Sequence, residues 1–201
     1  MVRKAAFILT AGFLAAGCEL TRVAVVPSHR FPDPLKVAVL DFDYTPPVST
    51  AQESQSVSSP PNAGKYVADV LSSRLLAAAP FEVLERSKLG RLLQERKLTQ
   101  AQLVEEGRFE EIGKFLGVDY LILGTVNTYT TWSNSRTMHS GHYVSFAFRC
   151  VDVKSSQVVF TVEGKADKGP FGPMDPSGSV QEILDEAVAK LASAVRSQMR
   201  N

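Results

Sequence analysis

The chain has 201 residues, 22 of them lysine or arginine and 21 aspartate or glutamate, for a formal charge of +1 at pH 7. So even a balance, with no basic stripe, excludes a nucleic-acid binder that works by neutralising phosphates. No G-x-S-x-G, P-loop or dinucleotide fingerprint occurs, so no common enzyme signature speaks for catalysis.

The chain opens with Arg3 and Lys4, an apolar run from Ala5 to Leu14, and then Ala15-Ala16-Gly17-Cys18. A positive start, a short apolar stretch and small residues before a cleavage point make residues 1–17 a signal peptide. The run is shorter than the roughly 20 apolar residues of a membrane span. Leu14-Ala15-Ala16-Gly17-Cys18 resembles the lipobox of bacterial lipoproteins, with the leucine four residues before the cysteine instead of three. The resemblance implies lipidation of Cys18 by a thioether diacylglycerol and an N-acyl chain such as palmitate. Glu19, where an aspartate would retain the protein at the inner membrane, implies delivery to the outer membrane. No other cofactor is expected.

Loss of residues 1–17 leaves 20 basic against 21 acidic side chains and, with Cys18 consumed, Cys150 as the remaining thiol. Cys150 stands in alternation with Val144, Phe146 and Phe148, as a small core residue does. Residues 18–35, with Pro27, Pro32 and Pro34, read as a lipidated tether. Even fully extended at about 3.5 Å per residue they reach about 60 Å.

Residues 36–201 read as one periplasmic domain. Lys36 to Phe42 (KVAVLDF) is an apolar run suited to a strand covered on both faces. Thr45 to Asn62 is a long polar loop. Val67, Val70, Leu71, Leu75 and Ala78 recur at helical spacing, predicting a helix over 63–79 that Pro80 ends. Phe81 to Leu84 predicts a strand. Ser87 caps a helix through Leu89, Leu92 and Leu93, Thr99 opens another that breaks at Gly107, and Phe109 to Leu116 forms a third with Gly117 as its stop.

Val118 to Val126 predicts a central strand that continues past Asn127 as an exposed ribbon. Residues 142–153 and 157–167 alternate about a turn at Lys154-Ser155-Ser156-Gln157. Gly169 to Gly178 is loop, and Ser179 with Glu182 has the capping-box spacing for a last helix carrying Val180, Ile183, Leu184, Ala187, Leu191 and Val195 on one stripe. The order predicts an α+β fold, an α/β sandwich in which helices cover a mixed sheet of about five strands.

Two stretches carry a family resemblance: Phe81-Glu82-Val83-Leu84-Glu85-Arg86-Ser87 with Leu89, Leu92 and Leu93 after it, and Leu116-Gly117-Val118-Asp119-Tyr120-Leu121-Ile122-Leu123-Gly124-Thr125-Val126. With the opening strand and final helix they resemble the CsgG family of curli secretion lipoproteins over residues 36–200. The resemblance implies the fold shared by CsgG, LpoB and the N-terminal domain of TolB, and marks Glu85, Arg86, Gly117, Asp119 and Gly124 as motif residues. Read physically, Gly117 ends a helix, and Gly124 permits close approach where its strand passes beneath a helix. Glu85, Arg86 and Glu95 read as local caps and ion pairs, with a partner contact as the alternative.

Curli-type members form a ring-shaped pore from two added membrane hairpins per subunit. Here Thr128 to Phe148 is polar at its centre, with Ser133, Asn134, Arg136 and His139, and Lys165 to Ser179 is interrupted by Pro170, Pro173 and Pro176. Neither suits a spanning hairpin, whose strands need about 9–11 residues each. His139 and His142 are too few for a structural metal site, and Asp41 and Asp43 read as a solvated strand end. The expected function is that of a non-enzymatic lipoprotein on the periplasmic face of the outer membrane. It acts by contact with envelope proteins in assembly or secretion, and a homo-oligomer is in keeping with the resemblance. The alternatives are an LpoB-like activator of a peptidoglycan synthase and a true pore subunit.

Overall fold

A computed structural model describes residues 18–46, 55–85, 91, 109–170 and 172–199. The signal peptide, Arg86 and the helices expected after Ser87 and Thr99 lie outside the described residues, apart from the isolated Arg91.

Unbroken apolar sequence makes the centre of the sheet. Leu35–Val39 (β2) and the first half of Tyr120–Asn134 (β5) are buried on both faces, because helices lie on both sides of them. They pair in parallel, Val37 opposite Tyr120, and β2 takes Phe81–Val83 (β4) in parallel on its other side. His139–Asp152 (β6) and Val158–Lys168 (β7) follow β5 as antiparallel neighbours. Their buried positions alternate as the sequence predicts, with Val144, Phe146, Phe148 and Cys150 on β6 and Val162 and Ala166 on β7 all turned inward.

Two further strands correct the sequence reading. The expected tether is not free chain: Cys18–Val25 (β1) pairs antiparallel along the whole of its length with β7, from Cys18 opposite Asp167 to Val25 opposite Phe160. Thr21, Val23 and Val25 face the core while Leu20, Arg22 and Ala24 face out, a period of two carried largely by β-branched residues. Within the expected loop 45–62, Gln55–Ser58 (β3) pairs with the far end of β5. The result is an open sheet of seven strands in the order β1-β7-β6-β5-β2-β4, with β3 beside β5, in place of about five.

Ala63–Leu76 (α1) and Ser177–Met199 (α3) cover one face, and Phe109–Leu116 (α2) the other. The larger core joins Leu71 and Leu75 of α1 and Ile183, Leu184 and Leu191 of α3 to Phe146 and Phe160. The smaller one joins Ile112 and Leu116 to Leu40, Leu121, Leu123 and Val151. Helix α1 stops at Leu76, short of the expected Ala79. Gly117 has φ +69°, and the Val118 amide donates to the Gly113 carbonyl at 3.0 Å, so α2 closes in a Schellman turn that feeds β5. A residue with a side chain at Gly124 would place its Cβ 2.5 Å from the Phe42 ring. The close approach expected there is real, but the neighbour is an aromatic ring and not a helix.

Helix α3 also corrects its predicted start. It begins at Ser177, whose amide donates to Asp175 Oδ1 at 2.9 Å and whose hydroxyl donates to Asp175 Oδ2 at 2.6 Å. Ser179 lies inside the helix and bonds elsewhere, so Asp175 does the capping.

The segment between β1 and β2 is pinned by an aromatic cluster. His29 Nε2 and the Tyr120 hydroxyl share a 2.9 Å hydrogen bond, and the imidazole meets Phe31 edge-on at 4.6 Å. Burial holds the His29 imidazole below its ordinary pKa, against a smaller opposite pull from Asp152. Burial and the same carboxylate push the Tyr120 phenol well above its ordinary range.

Two outcomes follow from this packing. Gly124→Ala is expected to destabilise the fold by about 1–3 kcal/mol through overpacking, and Phe42→Leu in the same chain to recover part of the loss, measured by urea unfolding. Because folded His29 takes up a proton less readily than the unfolded chain, its contribution is intact above about pH 6.5 and is lost as the pH falls through its lowered native value. His29→Gln should flatten the decline in unfolding midpoint on the acid side; an unchanged slope would exclude the role.

Candidate functional site

Strand direction gives the molecule two distinct ends. Strands β2, β5 and β7 run toward the turn that joins β5 to β6, and β1 starts beside that end. Both long helices start there too: Tyr66 in the first turn of α1 meets Tyr129 edge-on at 6.2 Å, and Ser179 in the first turn of α3 reaches β6. Cys18, the residue at which the sequence reading expects a lipid, therefore opens an edge strand at this end and is separated from the body by no linker.

Most of the ribbon expected beyond Asn127 stands at the same end, but it is half-buried and not exposed from Thr128 to Asn134, with Tyr129 and Thr130 buried. Pairing shifts register between Val126 and Thr128, and the ribbon continues from Thr128 opposite Ser145 to Asn134 opposite His139. Such an irregularity bends and twists a strand, and here it marks where β5 leaves the two-sided core. Ser56 of β3 and Ser133 share a 2.8 Å hydrogen bond across the ribbon's other edge.

A buried imidazole clamps the loop before α3 onto this ribbon. His142 is fully buried, and its Nδ1–H donates to the Pro173 carbonyl at 2.6 Å. A carbonyl only accepts, so in the neutral ring Nε2 accepts from the Ser179 hydroxyl at 3.0 Å. The Ser140 amide adds a bond to the Pro170 carbonyl at 3.2 Å. Both ring nitrogens of His142 are thus engaged in joining β6, the loop and α3. Among the described residues no three His, Cys, Asp or Glu side chains are grouped to hold a metal.

The family-motif residues are not gathered in one place. Gly117 and Asp119 sit at the end opposite Cys18. There the Asp119 amide donates to the Lys36 carbonyl at 3.1 Å and its carbonyl accepts from Val153 at 3.0 Å, stitching β2, β5 and β6 together. The Asp119 carboxylate lies 3.9 Å from the exposed Lys154 ammonium, a solvated pair that adds little. Gly124 lies mid-sheet under Phe42, and Glu85 is exposed at the exit of β4. These placements make the described motif residues parts of a scaffold. Asp41 and Asp43 are exposed past β2, with the Asp43 amide and carbonyl bonded to Gly124 and Val126 of β5. Cys150 is fully buried, and burial raises its thiol pKa well above the ordinary value, which keeps it protonated and unreactive. Among the described residues no helix is long and apolar enough to cross a membrane.

The family model for the curli production assembly/transport component CsgG matches residues 28–170. Among solved structures, the PelC dodecamer from Paraburkholderia phytofirmans is 16% identical, with a TM-score of 0.51, over 89% of this chain and 97% of that one. Lipoprotein GNA1162 from Neisseria meningitidis is 18% identical, with a TM-score of 0.56, over 80% of this chain and 99% of that one. At these identities the likeness is one of fold. No curated protein matches the chain.

The clamp makes a direct prediction. His142→Ala leaves the Pro173 carbonyl and the Ser179 hydroxyl without their buried partner and is expected to destabilise the fold by about 1–3 kcal/mol. Hydrogen exchange should rise at residues 172–176 ahead of the core strands. Exchange that rises everywhere equally would mean that the imidazole supports the core and not the loop.

Proposed function

The chain belongs to the CsgG family, and from that premise we propose that it is a non-enzymatic lipoprotein of the bacterial envelope, acting by protein contact in assembly or secretion. In this reading Cys18 becomes the N-terminus on signal-peptide cleavage, carries the diacylglycerol and N-acyl lipid, and holds the body at the periplasmic face of the outer membrane. The observation that carries it is the position of Cys18 as the first residue of an edge strand, at one pole of the molecule, directly after a signal-peptide pattern. Three acyl chains, at about 0.8 kcal/mol for each buried methylene, are ample to anchor the body.

The same strand separates the alternatives. An activator that reaches a peptidoglycan synthase through the cell wall needs slack between lipid and body, and β1 takes up residues 18–25 of the stretch that would supply it. A curli-type pore needs strands long enough to cross a core of about 30 Å. Beyond the level of Cys18 the β5–β6 ribbon adds four residue pairs, with serine, asparagine and histidine at its end. Contact function with a body held close to the membrane fits these dimensions. A homo-oligomer belongs to the proposal, since a solved protein of the same fold is a dodecamer.

The test is production of the full chain in a Gram-negative host. The wild type is expected to fractionate with the outer membrane, to gain the mass of three acyl chains at Cys18, and to run as a defined oligomer after detergent extraction. Cys18→Ser should leave the precursor uncleaved and unlipidated. A Cys18→Ser chain with unchanged maturation and fractionation would sink the anchor, and discrete conductance steps from purified protein in planar bilayers would reinstate the pore.

A further inference from the structure

We propose that the turn of the β5–β6 ribbon and the loop clamped beside it form a foot that rests in the headgroup layer of a phospholipid bilayer, with Met138 and Met174 entering the acyl boundary. This rests on the lipid-anchor reading of Cys18 and adds to it the orientation of the body and a second point of membrane contact.

Register sets the height of the foot. Cys18 lies opposite Asp167, Asp167 opposite Tyr143, and Tyr143 opposite Thr130, so these four residues form one row across β1, β7, β6 and β5. Past that row the ribbon runs on through the pairs Thr131 with His142, Trp132 with Gly141, Ser133 with Ser140 and Asn134 with His139 before it turns. At about 3.4 Å per residue the last pair stands about 14 Å beyond Cys18 along the strands. A lipid on Cys18 fixes that row near the bilayer surface. A strand tilted by about 45° then carries the turn about 10 Å deeper, the depth at which interfacial helices bury their apolar faces.

The chemistry at this height suits lipid. Of the seven large apolar side chains exposed among the described residues, Leu20, Tyr143, Met138 and Met174 stand at the Cys18 end. Met138 is 87% exposed at the turn and Met174 47% exposed on the loop. Leu20 and Tyr143 face outward on the sheet within two residues of the row, where an amphipathic tyrosine suits the headgroup boundary. Arg136, exposed in the same turn, is placed to meet a lipid phosphate. The acidic Asp175 nearby has both oxygens accepting from Ser177, which absorbs part of its charge. The foot is also tied to the ribbon at two points: His142 donates to the Pro173 carbonyl beside Met174, and the Ser140 amide donates to the Pro170 carbonyl.

The single tryptophan, Trp132, lies two pairs below the turn and serves as the probe. Lipidated full-length protein, purified from the host, is reconstituted in vesicles of phosphatidylethanolamine and phosphatidylglycerol whose acyl chains are brominated near the headgroup. Trp132 emission is expected to fall relative to unbrominated vesicles, and the double variant Met138→Glu, Met174→Glu to regain it while still floating with the vesicles. Both substitutions fall on exposed positions and leave the core intact. Emission indifferent to bromine, in protein that floats and carries the lipid mass, would overturn the foot and leave the anchor standing. Quenching that survives the double substitution would overturn it as well. Absence of lipid mass at Cys18 would remove the anchor and the foot together.

Discussion

Strand β5 carries an obligation that shapes the whole molecule: its first half must be buried on two faces and its second half on little more than one. Tyr120, Ile122 and Val126 look toward α1 and α3, while Leu121 and Leu123 look toward α2. Parallel β2 on one side and antiparallel β6 on the other complete its hydrogen bonding. Where α2 no longer covers it, apolar residues give way to threonine and asparagine, and the register shift after Val126 releases the strand into the ribbon. Gly117 and Asp119 guard the entry to this strand and Gly124 its middle, so three of the family's marked residues line the element on which the layers depend. Gly117 and Gly124 do so by lacking a side chain, the one because its φ of +69° disfavours one and the other because the Phe42 ring leaves no room for it.

Much of this was legible in the sequence because apolar period and burial are the same fact seen twice. The stripe from Val180 to Val195 and the alternation from Val144 to Cys150 need no tertiary information to be read, since only one face of each can be buried. The parts that were not legible depend on a partner distant in the chain. Gln55–Ser58 has one apolar residue, and becomes a strand because Thr131–Asn134 offers an unpaired edge. In β1 the alternation of Thr21, Val23 and Val25 was present, but three nearby prolines outweigh it until β7 is seen beside it. Ser179 has the spacing of a cap, yet the buried His142 draws its hydroxyl away, and Asp175, too far back for the box pattern, takes the terminal amide. At Gly124 the need for a missing side chain was readable, whereas the ring of Phe42 that imposes it was not.

The candidate site divides in the same way. The proposed lipid site at Cys18 rests on local order alone, since a cleavage pattern is read in an unfolded segment. What that cysteine means mechanically is a matter of register, and register appears only when β1 lies against β7. In the proposed anchor a linker would decouple membrane and body, whereas a paired strand would transmit the position of one to the other; the ribbon, the loop at Met174 and the starts of both long helices stand at the same pole as Cys18.

The pairing of β1 with β7 joins residues far apart in the chain, Cys18 to Asp167. Contacts of such long sequence separation form late, after closure of a long loop. For a polypeptide delivered from its N-terminus, the sheet lacks that edge until β7 has emerged, which would leave Cys18 accessible to the proposed modification in the interval. Under the proposed anchoring, attachment precedes completion of the fold, and the last strand to settle is the first to have arrived.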